Sequence, residues 1–136
     1  MTARVLIVEG ISRSLVMANP SVLFAFDDNL ARVGFVGQAE HCRNCMNAIG
    51  IPTKISATQH LFDADVALAK QPIIRAFAIL RQHLRAGETV VWPKEGVGTD
   101  EVSRLYITGP KILETINGLR DYIFRGYPVS HEFYQQ

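Results

Sequence analysis

Twice in this chain a short apolar run opens into a polar, glycine-bearing loop, and this arrangement restricts the fold more than any other feature. Leu23-Phe24-Ala25-Phe26 leads into Asp27-Asp28-Asn29, with Gly34-Phe35-Val36-Gly37-Gln38 beyond it; Val90-Val91-Trp92-Pro93 leads into Gly96-Val97-Gly98-Thr99. Runs this short and this continuously apolar fit strands buried on both faces, as in parallel sheets covered by helices. The carboxyl ends of such strands, with free backbone N–H groups and helix amino termini beside them, are where phosphate-bearing ligands sit. The pattern points to an α/β protein with a nucleotide-type pocket at its strand ends.

The rest of the chain supports that class. Arg4 to Val8 reads as an edge or peripheral strand ended by Glu9-Gly10, and Val22 to Phe26 as a central one. A helix is expected from Gly37 to Arg43, then a buried strand from Ala48 to Ile51 that Pro52 stops. From Pro72, Ile73, Phe77, Leu80 and Leu84 recur at helical spacing, and Gly87 follows the last turn. Thr89 to Pro93 is the next strand. A short helix over Asp100 to Tyr106 is broken by Gly109-Pro110, and Ile112, Leu113, Ile116, Leu119 and Ile123 stripe a final helix. Gly126 to Gln136 has no clear period. Alternating strands and helices over 136 residues imply a single domain, 1–136, with helices on both faces of a sheet.

Charge and cysteine content narrow the function. With 14 basic against 13 acidic residues the net charge is +1, so no overall field recruits nucleic acid or an anionic membrane. No window is long and apolar enough to span a bilayer, and Met1-Thr2-Ala3-Arg4-Val5 lacks signal-peptide character, which leads to the expectation of a cytoplasmic protein. Cys42 and Cys45 form a Cys-x-x-Cys pair, the spacing of a redox motif or half a zinc site. Only His41 lies nearby, while His60, His83 and His131 stand at no ligand spacing, so two reduced thiols at a helix end are expected and neither metal nor cofactor.

The candidate site lies at the strand ends. Asp27, Asp28 and Asn29 can hydrogen-bond the hydroxyls of a ribose, although Asp and Asn also cap turns and helices. Gly34 and Gly37 permit close backbone approach, or simply serve turn geometry, and Gln38 opens the following helix. Gly96-Val97-Gly98-Thr99 follows a clear strand; it lacks the Gly-Lys-Ser/Thr ending of a Walker loop, and Glu101 occupies the third glycine position of a dinucleotide fingerprint. Thr53-Lys54 brings a hydroxyl and a cation to a third strand end, where Lys54 either pairs with a phosphate or is solvated. Trp92 alternates within its strand and is expected in the core.

Four segments, Phe24 to Gly34, Val36 to Ala39, Asn47 to Lys54 and Val91 to Thr99, resemble in order the motifs of small phage and bacterial proteins with a macro-domain-like pattern, a match covering roughly residues 22 to 116. The resemblance implies a three-layer α/β/α sandwich with a mixed, mostly parallel sheet and a cleft for ADP-ribose or a related nucleotide. It assigns Asp28 and Asn29 to the ribose and, in an enzyme, to positioning or activating water for ADP-ribosyl hydrolysis. Asp27, Gly34, Gly37, Gln38, Thr53 and Lys54 belong to the ligand-binding rim, and Gly96, Val97, Gly98 and Thr99 to the diphosphate loop. Asp27, Val36 and Asp100 replace glycines of the pattern. The alternative is a non-enzymatic phage accessory protein that sequesters a nucleotide signal or binds a host protein. Phe124, Tyr127, Phe133 and Tyr134 either pack on a second copy or close back on their own domain.

Overall fold

A computed structural model describes residues 3–133. Five strands, β1 (Val5–Glu9), β2 (Leu23–Asn29), β3 (Ala48–Lys54), β4 (Val90–Pro93) and β5 (Val129–Phe133), form one sheet in the order β3-β2-β4-β1-β5. The sheet expected to be mostly parallel is parallel at every described pairing between these strands. Helices α1 (Arg13–Ala18) and α2 (Ala39–Cys42) pack on one face, around Leu6, Val8, Phe24, Phe26 and Val91. The other face carries α3 (Val66–Arg85) and α5 (Pro110–Phe124), with the single turn α4 (Leu105–Thr108) before α5. The result is the three-layer α/β/α sandwich.

Alternation along each strand builds the two cores. Leu23 and Ala25 face α3 and α5, whereas Phe24 and Phe26 face α1 and α2. Trp92 is core, as its alternation predicts, with Phe77 at 6.0 Å and Phe124 edge-on at 5.7 Å.

Several boundaries differ from the sequence reading. β1 is interior, because β5, which has no apolar signature, pairs along its outer side. β2 runs three residues further, through Asp27, Asp28 and Asn29, all buried and paired with β3. β3 continues through Pro52 to Lys54, which an edge strand tolerates since proline leaves no ladder bond unmade on the open side. α3 begins at Val66, six residues before Pro72, because buried Ala69 extends the apolar stripe by a turn. The expected helix at Gly37 is one turn from Ala39, and that at Asp100 gives way to a capped turn, with left-handed Arg104 preceding α4. Phe124 is buried, and Tyr127 is partly buried against the main core of its own domain. The Phe133 side chain and Tyr134 lie outside the described residues.

This topology positions the site. β4 lies between β2 and β1, yet the helix after β4 packs on the face opposite to those after β1 and β2. Loops leaving the carboxyl ends of β2 and β4 therefore diverge and leave a crevice, the place where doubly wound sheets bind ligands.

Candidate functional site at the carboxyl edge of the sheet

The two glycine-bearing loops do meet, through side chains rather than through a ligand cradle. Gln38 accepts a hydrogen bond from the Asp27 backbone N–H at 2.7 Å and donates to the Gly96 carbonyl at 2.9 Å and to Glu95 Oε1 at 3.2 Å. Asp27 completes the junction: the Gly98 N–H donates to its Oδ2 at 2.7 Å, and its Oδ1 is bonded to the Thr53 hydroxyl, which also reaches the Asp28 carbonyl at 3.3 Å. Burial, reinforced by the nearby Asp100 carboxylate, lifts Asp27 from its usual 3.8 to about 7 against the opposing hydrogen bonds from Thr53 and Gly98.

Asp28 points to the opposite face of the sheet and is held by cations. The Arg43 guanidinium clasps both of its carboxylate oxygens, Arg32 Nη1 lies 3.5 Å from Oδ2, and the Asn29 N–H donates to Oδ1 at 2.7 Å. Arg43 also donates to the carbonyls of Gly34 at 3.0 Å and Val33 at 3.3 Å, while Asn29 Nδ2 donates to the Val33 carbonyl at 2.8 Å. Asp28 and Asn29 thus fasten the loop after β2. Sequence reasoning missed Arg43, although a cation next to buried Cys42 at the end of an amphipathic turn is a signal that a buried carboxylate must lie opposite. It missed Gly50 as well, where any Cβ would collide with the Asp28 carboxylate.

A crevice of about 30 Å³, room for one water-sized group and otherwise open to solvent, lies above this junction. Of the expected residues it brings together Asp27, Asp28, Asn29, Gly34, Gly37, Gln38 and Lys54, and it adds Val36, Asp100 and Val102. Thr53, Gly96, Val97, Gly98 and Thr99 do not line it. Thr53 and Val97 are fully packed inside, Thr99 Oγ1 donates to the Glu95 carbonyl, and the Gly98 carbonyl accepts from the Tyr106 N–H. The second loop is an anchor for the first. Asp100 caps its own turn by accepting from the Ser103 N–H and hydroxyl, both at 2.9 Å, as its sequence position suggested. The polar groups of the lining are the carboxylates and carboxamides of Asp27, Asp28, Asn29, Gln38 and Asp100, set among Val33, Val36, Ala39, Ala57 and Val102; Lys54, whose Nζ donates to the Ala57 carbonyl at 2.7 Å, is its cation. Such a lining accepts hydrogen bonds from hydroxyl or amide donors and is unfavourable to a bare polyanion.

The cysteine pair plays no part in this pocket. Both thiols are free; Cys42 is buried on α2, and burial pushes its thiol up to about 12, far from the range of a reactive thiolate.

A family model described as a family of unknown function (DUF7831) matches residues 6–119. The chain belongs to this family. No curated protein and no solved structure matches it. Within the DUF7831 span lie β2 to β4, all of β1 but Val5, both glycine loops, Arg43 and every residue that lines the carboxyl-edge pocket. No helix among the described residues is long and apolar enough to cross a membrane.

Proposed function

We propose that this protein binds a nucleotide-type metabolite of the ADP-ribose class at the carboxyl edge of β2, holding it through its sugar hydroxyls and without hydrolysis. The observation that carries this reading is the convergence of Asp27, Asn29, Gln38 and Asp100 on one pocket at the crevice where the loops diverge. Acceptor oxygens there suit vicinal hydroxyls, and Lys54 at the rim suits a phosphate extending toward solvent. Binding is favoured over hydrolysis because both carboxylate oxygens of Asp28, the expected water-activating group, are taken up by Arg43, with Arg32 beside them.

The test is the unfolding midpoint of the intact chain against ADP-ribose, NAD, cyclic ADP-ribose isomers and cyclic dinucleotides. A ligand at about 100 times its Kd adds roughly 2.7 kcal/mol, a shift of several degrees for a domain of this size. A shift confined to ADP-ribose-like compounds and lost in Asn29→Ala supports the reading, and a flat panel overturns it. A second reading, attachment to a host protein, is favoured by Val33, Phe35 and Val36, which stand more than half exposed in the loop beside the pocket. Phe35→Ser would abolish such an association and leave nucleotide binding unchanged.

A further inference from the structure

A second cleft, chemically opposite to the first, lies over the α5 side of the sheet where α5 leaves β1 and β5 uncovered. It offers about 560 Å³ between the second half of α5, the face of the sheet and the loop after β4. Its floor is apolar and aromatic, with Trp92 and Phe124 packed edge to face. Its walls carry Lys94, Arg120 and Arg125 against the single carboxylate of Asp121, with His131 on β5. The cleft is therefore net positive in a chain whose total charge is only +1, whereas the carboxyl-edge pocket is acidic.

Arg120 is the most organised of these cations. Its guanidinium lies 5.8 Å from the Trp92 ring centroid, its Nε donates to Asp121 Oδ1 at 2.9 Å, and its Nη1 donates to Asn117 Oδ1 at 3.3 Å. A guanidinium has five N–H donors in a rigid fork, so this held plane has capacity for an additional acceptor. Lys94 pairs with Glu9 at 3.3 Å, but both side chains are more than half exposed, and such surface pairs exchange readily for a better-placed anion. Cations on a dry aromatic floor form a site for an anion that carries an apolar body: the charge goes to Arg120 and Lys94, and the body covers the floor.

We infer that this cleft is a binding site for a small organic anion, an aryl or alkyl phosphate or carboxylate, distinct from the carboxyl-edge pocket. Trp92 is the only tryptophan and lies in the floor, so its fluorescence reports occupancy directly. Phenyl phosphate and benzoate serve as probes, inorganic phosphate tests the charge alone, and benzylamine tests the apolar body with the opposite charge. Titration of the intact chain should give saturable changes in Trp92 emission with phenyl phosphate or benzoate, whichever carries the favoured head group. Inorganic phosphate should bind at least about tenfold more weakly, and benzylamine should not bind. Arg120→Gln should weaken the favoured probe roughly tenfold or more, and Lys94→Gln, an exposed change that leaves the packing intact, should weaken it severalfold. Asn29→Ala, in the other pocket, should leave it unchanged, which separates failure of one site from failure of the other. The inference is overturned by the absence of saturable change in both emission and unfolding midpoint, by equal binding of benzylamine, or by indifference of the aryl anions to Lys94→Gln.

Discussion

Asp27 shows how one side chain can be both site and scaffold. Buried among the hydrogen bonds that Thr53 and Gly98 donate to it, the Asp27 carboxyl is held in its neutral form up to about 7. The folded protein therefore binds this proton more tightly than the unfolded chain does. The stability it contributes is complete below about 3.8 and is lost as the pH rises through about 7. Asp27→Asn keeps the size of the side chain, with its carbonyl toward the Gly98 N–H, and does not titrate. Its unfolding midpoint should exceed that of the parent at pH 8 and approach it at pH 4; parallel pH profiles for the two proteins would remove Asp27 as the titrating group. The sequence placed Asp27 at the strand end correctly but gave no indication of its protonation, because burial on both faces and the approach of Gly98, 71 residues away, are tertiary facts.

Between elements, the decisive connection is Arg43, which ties the end of α2 to β2 through Asp28 and to the intervening loop through Gly34 and Val33. Its guanidinium also lies 5.7 Å from the Phe26 ring centroid. Arg43→Met leaves Asp28 as an unpaired buried charge with only the exposed Arg32 beside it, and should cost about 3–5 kcal/mol. Replacing both partners, as Arg43→Met with Asp28→Leu, should recover part of that loss, since two apolar groups need no hydrogen bonds. Chemical denaturation of the three proteins checks this, and a double variant no more stable than Arg43→Met would show that Asp28 is needed for more than its partner. The elements themselves were largely legible: the stripe of α3, the stripe of α5 and the runs of β2 and β4 follow from hydrophobic period alone. Pro52 and Pro72 misled because proline is judged locally as a stop. An edge position for β3 and core packing for α3 outweigh the lost hydrogen bond.

In the whole molecule, the sheet owes its width to the segment that local pattern could not read. β5 pairs with β1 over five residues, and the Val5 N–H donates to the Pro128 carbonyl at 2.8 Å. A chain ended after Tyr127 keeps Ile116, Ile123 and Phe124 in the core but turns β1 into an open edge. We expect it to fold with a midpoint lower by several degrees, since each 1 kcal/mol lost shifts a domain of this size by about 2–8 °C. It should also associate at high concentration; an unchanged midpoint with a monomeric chain would show that β5 adds nothing to the sheet. By itself the sequence determined the class of fold, the alternation that buries each strand, and the strand ends where polar groups gather, because these depend on the order of apolar and polar residues along the chain. Only the tertiary structure decided that β1 is interior, that Asp28 is spent on Arg43, that Gln38 joins the loops, and that a cationic cleft faces away from an acidic pocket. Each of those depends on contacts between distant segments and on the water that they exclude, which no local pattern encodes.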